Sequence, residues 1–339
     1  MNQTLDEVAR RAGVSTATAS RALRDLPSVR GETKERVQRV ARDMGYVISP
    51  SASTLASGRT RTIGLLTPWV NRWFFSNVIE GAEKGLRQVN FDALLYTFHE
   101  APGQPRNRVD PQVLRKRVDG LLILGMQLDE DEVLSLESLE LPMVFVGPGH
   151  LRHPTVGIDD FAVAQMIMAH LEECGHTRVA HIAGPDLEQF DNSPSAGRHA
   201  GWKAWQEERG RPCDDTWYHY SSFDRTGGFE SAMLLLDTHP DITAIFAATD
   251  DLAIGAIQAA QARGLHVGTD IVIAGVDDED LAAYLGLTTV HQNPREQGQQ
   301  AAEMLLAAMG GQPAPLVTFG EISLVERASS GRNTVRLVN

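Results

Sequence analysis

Three acidic doublets, Asp159-Asp160, Asp250-Asp251 and Asp277-Asp278, are the groupings in this sequence best suited to chemistry. Paired carboxylates can hold a metal ion or share acid and base work. Here they stand at the ends of different strand-like runs, which favours another use: accepting hydrogen bonds from hydroxyl groups and capping helices. His150 and His153 lie in a Gly/Pro-rich stretch. A metal site and a pair of surface histidines are both readings of it. No GxSxG elbow, P-loop, HExxH or Cys-x-x-Cys pattern is present, so neither catalytic residues nor a cofactor or metal are expected, and the chain reads as not an enzyme.

A second grouping lies near the start. Ser15 can cap a helix that opens with Thr16 and Ala17 and carries Arg21 one turn later. An arginine there can grip guanine O6 and N7 with two N–H groups, while Thr16 and Ala17 offer a hydroxyl and methyl groups to base edges. Thr4, Ser15, Thr18 and Arg24 stand where helix N-termini and short donors meet phosphates.

The elements that must position these residues follow from local signals. Thr4 with Glu7 has capping-box spacing, and Leu5, Val8 and Ala9 form an apolar stripe. Gly13 ends that helix. A second helix turns Ala19, Ala22 and Leu23 inward, and Pro27 marks a loop. A third, Glu32 to Met44, carries Val37, Val40, Ala41 and Met44 on one face before Gly45. A helix, a glycine turn and a second helix within about 20 residues is helix-turn-helix spacing. Ser49 and Pro50 can start a short helix that Gly58 stops, at about two turns too short to stand alone. From Thr62 the pattern becomes α/β. Apolar runs such as Ile63–Leu66, Gly120–Leu124, Met143–Val146, Val179–Ala183 and Ala244–Ala247 alternate with amphipathic stretches. Such runs suit parallel strands covered on both faces, and two such sheets would face a cleft beyond their carboxyl ends.

Charge divides along the same line. The net charge is −13, but residues 1–60 hold ten Arg/Lys against six Asp/Glu, leaving 21 against 38 for the remainder. A basic head attracts phosphate, and the acidic body repels it. Two cysteines in 339 residues make a disulfide framework unexpected. The polar start and the absence of a long apolar run suggest a cytoplasmic protein with no membrane partner. The tail 335–339 shows no heptads, which leaves a homodimer as the expected assembly.

The stretch Thr4 to Leu23, together with Glu35-Arg36-Val37 and Gly45-Tyr46, resembles the head of the lactose-repressor (LacI/GalR) family, and the likeness continues to about Arg327. Body segments that carry it include Asn71-Arg72-Trp73-Phe74-Phe75, Gly157-Ile158-Asp159-Asp160, Ala196-Gly197-Arg198, Ala248-Thr249-Asp250-Asp251, Gly275-Val276-Asp277-Asp278 and Thr289-Val290-His291-Gln292. The resemblance implies an all-α helix-turn-helix head over 1–46, a hinge helix and linker over 47–60, and a core over 61–339. That core is periplasmic-binding-protein-like, with two subdomains of doubly wound parallel sheet: an N-subdomain of about 61–159 and 290–317, and a C-subdomain of about 160–289 and 318–330. It implies base reading by Thr16, Ala17 and Arg21, backbone packing by Tyr46, and a minor-groove wedge by Leu55 with Ala52 alongside. Arg30 replaces the small residue that usually caps the third helix, and Ile48 stands where the hinge proline is usual.

In the core the resemblance implies an effector site built from Asp160, Arg198, Asp250 and Asp277 as polar groups, with Trp73, Phe74, Phe75 and Phe223 as flat walls and Thr249 and Gln292 beside them. Carboxylates and a forked guanidinium suit the hydroxyls of a sugar or sugar derivative, and aromatic faces suit its C–H surfaces. The function implied is repression from palindromic double-stranded operator DNA, controlled by that effector. A solute-binding or sugar-handling protein of the same core fold, and a regulator answering to a nucleobase or a protein partner, stay open at this point.

Overall fold

The computed structural model describes residues 4–25, 27–46, 59–98, 107–184 and 193–331. The chain divides into two compact units, Met1–Arg61 and Thr62–Asn339.

The first unit contains α1 (Leu5–Ala12), α2 (Thr16–Leu23) and α3 (Gly31–Met44). Their shared core is Val8, Ala9, Ala12, Ala19, Ala22, Val37, Ala41 and Met44. Burying each valine fully contributes about 1.5–3 kcal/mol, and the alanines let the helices approach closely. Thr4 caps α1 by accepting from the Glu7 N–H at 3.4 Å, while the Glu7 carboxylate turns to Arg10 at 3.0 Å. Only the Thr4 half of the expected capping box is therefore in place. Ser15 caps α2 through the Thr18 N–H at 3.2 Å. Arg30 precedes α3 in an extended conformation without a side-chain capping bond, as its chemistry requires.

The second unit runs β1 (Thr62–Thr67), α4 (Trp73–Gln88), β2 (Asp92–Thr97), β3 (Gly120–Leu124), α5 (Glu130–Glu137), β4 (Met143–Val146), β5 (Thr155–Gly157), α6 (Asp160–Glu173), β6 (Val179–Ala183), α7 (Pro194–Glu208), β7 (Tyr218–Tyr220), α8 (Arg225–Thr238), β8 (Ala244–Ala247), α9 (Asp250–Ala262), β9 (Val272–Asp277), α10 (Asp280–Leu285), β10 (Thr288–Gln292), α11 (Pro294–Met309), β11 (Val317–Phe319) and β12 (Ile322–Val325). They build two six-stranded sheets, ordered β11-β5-β4-β3-β1-β2 and β12-β10-β9-β8-β6-β7. The first is parallel throughout, and in the second β12 alone runs antiparallel, against β10. That edge strand departs from the all-parallel expectation.

Both sheets share one winding order, so each has a switch point where successive crossovers go to opposite sides: between β1 and β3, and between β6 and β8. Ligands bind beyond the carboxyl ends of strands at such points. The chain passes between the sheets after β5, after β10 and after β11. The second passage falls after Gln292, because β10 pairs with β12 through that residue, slightly later than the sequence division at about 290.

The core of the second sheet centres on Trp202, which is fully buried and donates from Nε1 to the Val179 carbonyl at 3.0 Å. The first sheet carries an apolar layer on each face: Ile63, Leu65, Leu122 and Leu305 on one, Leu66, Leu121, Ile123 and Phe145 on the other.

Candidate functional site

In the first unit the exposed start of α2 holds the residues expected to read DNA. Ser15, Thr16, Ala17 and Arg21 are exposed. Ser15 and Thr18 share a hydroxyl–hydroxyl contact at 2.8 Å, so those two side chains mainly close the helix end. The Thr16 hydroxyl donates to Asp6 Oδ1 at 2.8 Å, which pins α2 to α1. Arg21 Nε donates to the Ala17 carbonyl at 3.1 Å, and its terminal nitrogens have no partner among the described residues. Arg24 is half-buried against the Ser20 carbonyl at 3.3 Å. Thr4 caps α1, and Tyr46 packs on the head core while its N–H closes α3 on the Ala41 carbonyl at 2.9 Å. Ala52 and Leu55 lie outside the described residues.

In the second unit a cavity of about 400 Å³ opens at the carboxyl ends of both sheets. Trp73, Phe74, Phe75, Asp160, Arg198, Phe223, Thr249, Asp277 and Gln292 all line it. Two of its aromatic walls rest on glycines. A Cβ on Gly125 would come within 2.3 Å of the Phe75 ring, and one on Gly184 within 2.0 Å of the Phe223 ring. Each ring therefore lies flush against the strand end of its own sheet. Phe75 also meets Phe74 and Trp69 edge to face, at 5.4 and 5.7 Å.

Arg198, 4 % exposed, bridges the polar wall. Its Nε donates to Asp160 Oδ1 at 2.9 Å and its Nη1 to the Ala248 carbonyl. Burial raises the Asp160 carboxyl above its ordinary range, and Arg198 opposes that rise. Asp159 takes the capping role in front of α6, accepting from the Ala162 N–H at 2.9 Å, which frees Asp160 for Arg198.

Asp277 ends β9 on a backbone at φ +131°, followed by Asp278 at φ +57°. Non-glycine residues rarely adopt such values, at a cost of about 1–3 kcal/mol each, and they gather at functional sites. Gln292 Nε2 donates to Asp277 Oδ1 at 2.6 Å, and Gln297 Nε2 donates to Gln292 Oε1 at 3.0 Å. That chain of amides runs from α11 across the passage between the sheets to the cleft. Burial pushes the Asp277 carboxyl up to about 6, with Arg198 pulling the other way. Burial and then Asp251 push Glu279 up to about 7.

Asp250 does not join this wall. It is fully buried, accepts from the Thr289 hydroxyl at 2.7 Å and from the Glu279 N–H at 3.0 Å, and lies behind the cavity. Burial and the neighbouring Asp277 hold its carboxyl far above the ordinary range. The cap of α9 is Thr249, which accepts from the Leu252 N–H at 3.3 Å. Asp251, one residue on, faces the cavity instead.

Sequence reasoning also missed Trp69, Arg72, Glu279 and Gln297, all of which line the cavity. Arg72 Nη1 donates to the Phe223 carbonyl at 2.8 Å, and its guanidinium lies 4.0 Å over the Trp69 ring. The signal for Arg72 was present, since it immediately precedes the aromatic run that marked this wall. The histidines His150 and His153 face Glu130 at 3.3 Å and Glu137 at 2.9 Å, well outside the cavity lining. No cluster suited to a metal ion occurs among the described residues.

Comparison with known proteins agrees with both halves. A sequence model of bacterial regulatory proteins of the lacI family matches residues 4–49, and one of a periplasmic binding protein-like domain matches residues 168–330. The chain is 32% identical over 313 residues to the HTH-type transcriptional repressor CytR of Escherichia coli K12, covering 91% of this chain and 90% of that one. It is 30% identical over 308 residues to the HTH-type transcriptional repressor PurR of Haemophilus influenzae PittEE, covering 89% and 90%. Among solved structures, the Lac repressor dimer bound to operator and the anti-inducer ONPF superposes with a TM-score of 0.84 at 25% identity, over 97% of this chain and 99% of that one. The complex of the transcriptional regulator CelR with cellobiose superposes with a TM-score of 0.71 at 27% identity, over 96% and 99%.

Proposed function

Because this chain belongs to the lacI family of bacterial regulatory proteins, we propose that it represses transcription from a palindromic operator and that a small molecule in the core cleft sets its operator affinity. The chain is a sequence-specific DNA-binding regulator; the repressing sign, the effector and the residue roles are our reading. The observation that carries it is the exposed start of α2, where the terminal nitrogens of Arg21, beside Thr16 and Ala17, have no partner among the described residues. An arginine so placed can read a guanine, while Thr4, Ser15, Thr18, Arg24 and Tyr46 hold the head on the backbone. Residues 1–46 form the reading head in this account, 47–60 the hinge that carries Ala52 and Leu55 to the minor groove, and 61–339 the sensing and dimerisation core.

The effector is a sugar or sugar derivative. Trp73, Phe75 and Phe223 offer flat walls, and Asp160, Arg198, Asp277 and Gln292 offer acceptors and donors to hydroxyls. Occupancy shifts the pose of the two sheets and, through it, operator affinity; the coupling is reciprocal. A homodimer is supported by α10, whose Leu281, Tyr284 and Leu285 are 39%, 87% and 46% exposed. Such an apolar face is costly unless covered. No helix among the described residues is long and apolar enough to cross a membrane, and the protein would act where the chromosome is, in the cytoplasm.

Selecting genomic fragments on the full chain and measuring their affinity by fluorescence anisotropy tests the reading. The bound fragments are expected to share an inverted repeat, and Arg21→Ala to weaken that binding by about 1–3 kcal/mol. Binding with no preference among fragments would refute it.

A further inference from the structure

We infer that the cleft takes an uncharged or basic ligand rich in hydrogen-bond donors and turns away ligands that carry a phosphate or a carboxylate. The inference rests on reading the cleft as the effector site and names the chemical class of that effector.

The first ground is the state of the cations. Among the described residues, Arg72 and Arg198 are the only arginines or lysines that line the cavity, and each already makes hydrogen bonds within the protein. Arg198 holds Asp160 at 2.9 Å and the Ala248 carbonyl. Arg72 holds the Phe223 carbonyl at 2.8 Å and covers the Trp69 ring. A phosphate would compete with Asp160 and the Ala248 carbonyl for the buried Arg198, and with the Phe223 carbonyl for the half-buried Arg72.

The second ground is the carboxylates. Asp160, Asp251, Asp277 and Glu279 all line the cavity. Asp160 is neutralised by Arg198, and Asp251 and Glu279 share Arg225 at 2.8 and 3.4 Å. Asp277 has no ion-pair partner among the described residues. Its hydrogen bonds come from neutral donors, the Gln292 amide at 2.6 Å and the backbone of Asp250, while the Arg198 charge acts on it from beyond ion-pair distance. The strained backbone at Asp277 and the Gln297–Gln292 amide chain hold this carboxylate at the cavity wall. A ligand hydroxyl or amine gains there; an anion meets a like charge in a partly desolvated site.

The third ground is the helix starts, which in many proteins hold phosphate. Of the helices that open at this cavity, α6, α7 and α9 are each closed by a side chain at the cap, while α4 opens behind Arg72 without one. Ser193 accepts from the Ala196 N–H at 3.0 Å ahead of Pro194, which has no N–H to give, and Thr249 accepts from the Leu252 N–H at 3.3 Å.

The test uses the full chain and compounds that share a skeleton but differ in charge: glucose, glucosamine, gluconate and glucose phosphate; ribose and ribose phosphate; adenosine and adenosine monophosphate; cytidine and cytidine monophosphate. Thermal shift finds responders and isothermal titration ranks them. At least one uncharged or basic compound is expected to bind, and its acidic counterpart to bind about a hundredfold more weakly or not at all. In Asp277→Asn that gap is expected to narrow by about tenfold or more. An acidic compound that binds as well as or better than its parent overturns the inference but leaves the effector reading standing. A gap unchanged in Asp277→Asn overturns it as well. Silence across the whole panel overturns both.

Discussion

Arg198 Nε lies 2.9 Å from Asp160 Oδ1, a buried ion pair that joins α7 to the start of α6 immediately after the first passage between the sheets. Removing one partner of a buried pair costs about 3–5 kcal/mol when the other stays charged. The Asp160 carboxyl already titrates above its ordinary range, chiefly from burial, and loses its opposing influence in Arg198→Ala. The destabilisation is therefore expected to be small at acid pH, where Asp160 is neutral, and to grow as pH rises through its folded-state value. Thermal melts of Arg198→Ala across pH check this, and Asp160→Asn added to the variant is expected to remove the pH dependence.

Two other buried sets act on stability in opposite directions as pH falls. His181 is fully buried and donates from Nδ1 to the Phe246 carbonyl at 2.9 Å. Burial, then His199, hold it down to about 3. Unfolded, it takes a proton near pH 6.5, so its contribution is present above that pH and is lost between about 6.5 and 3, to the extent of about 5 kcal/mol. Glu279, raised to about 7, works the other way. Its folded form holds a proton that the unfolded chain has lost above about 4.3, so it favours folding below that pH and loses this as pH rises through 7. Melting temperatures of His181→Asn and Glu279→Gln are expected to bear this out. The first should soften the fall below pH 6, and the second should raise stability most above pH 7. Parallel pH curves for all three proteins would contradict the assignment.

On the reading head, Arg21→Ala and Arg24→Ala are expected to part company. Arg21 is exposed, its terminal nitrogens without a partner among the described residues, and Arg24 is half-buried against the Ser20 carbonyl. Arg21→Ala should flatten sequence preference at one position of each half-site. Arg24→Ala should weaken binding across all sequences and lower the slope of affinity against salt by about one per head. Anisotropy titrations at several salt concentrations separate the two.

Tyr284 is 87% exposed on α10 beside Leu281 and Leu285. Tyr284→Asp is expected to move the mass measured by light scattering toward the monomer while leaving the far-ultraviolet circular dichroism unchanged. A dimer that keeps its affinity would place the interface elsewhere.

Several of the strands that were legible in the sequence are covered on both faces. Gly120–Leu124, Met143–Val146, Val179–Ala183 and Ala244–Ala247 are buried throughout, so each reads as an unbroken apolar run. The edge strands β7 and β11 were not, because Tyr218–Tyr220 and Val317–Phe319 span three residues each and are partly exposed. Helix α11 was missed for a different reason. Its buried face is built from Gln297, Gly298, Ala301, Ala302 and Leu305, so apolar periodicity is faint, although Asn293 and Pro294 mark its start as a capping residue and a first-turn proline do. At the site, the Asp250-Asp251 doublet was legible as important but not in its division of labour. Consecutive helix residues point about 100° apart, and only tertiary packing decides which carboxyl goes to Thr289 and which to the cavity. Arg72, Gln297 and Glu279 reach the cavity from three different segments, a convergence that no local pattern encodes.

Occupancy of the cleft is expected to govern the grip of the head on DNA, with Arg198 as the link. The direct measurement is anisotropy of a labelled operator fragment, taken from the genomic selection, titrated with the full chain and with Arg198→Ala, each with and without the binding compound from the charge-matched panel. The expected result is a change in operator affinity of about 5–150-fold on adding the compound to the unaltered chain, with Arg198→Ala binding the operator normally and ignoring the compound. An operator affinity that the compound leaves unchanged in the unaltered chain, or a response of equal size in Arg198→Ala, would contradict the account.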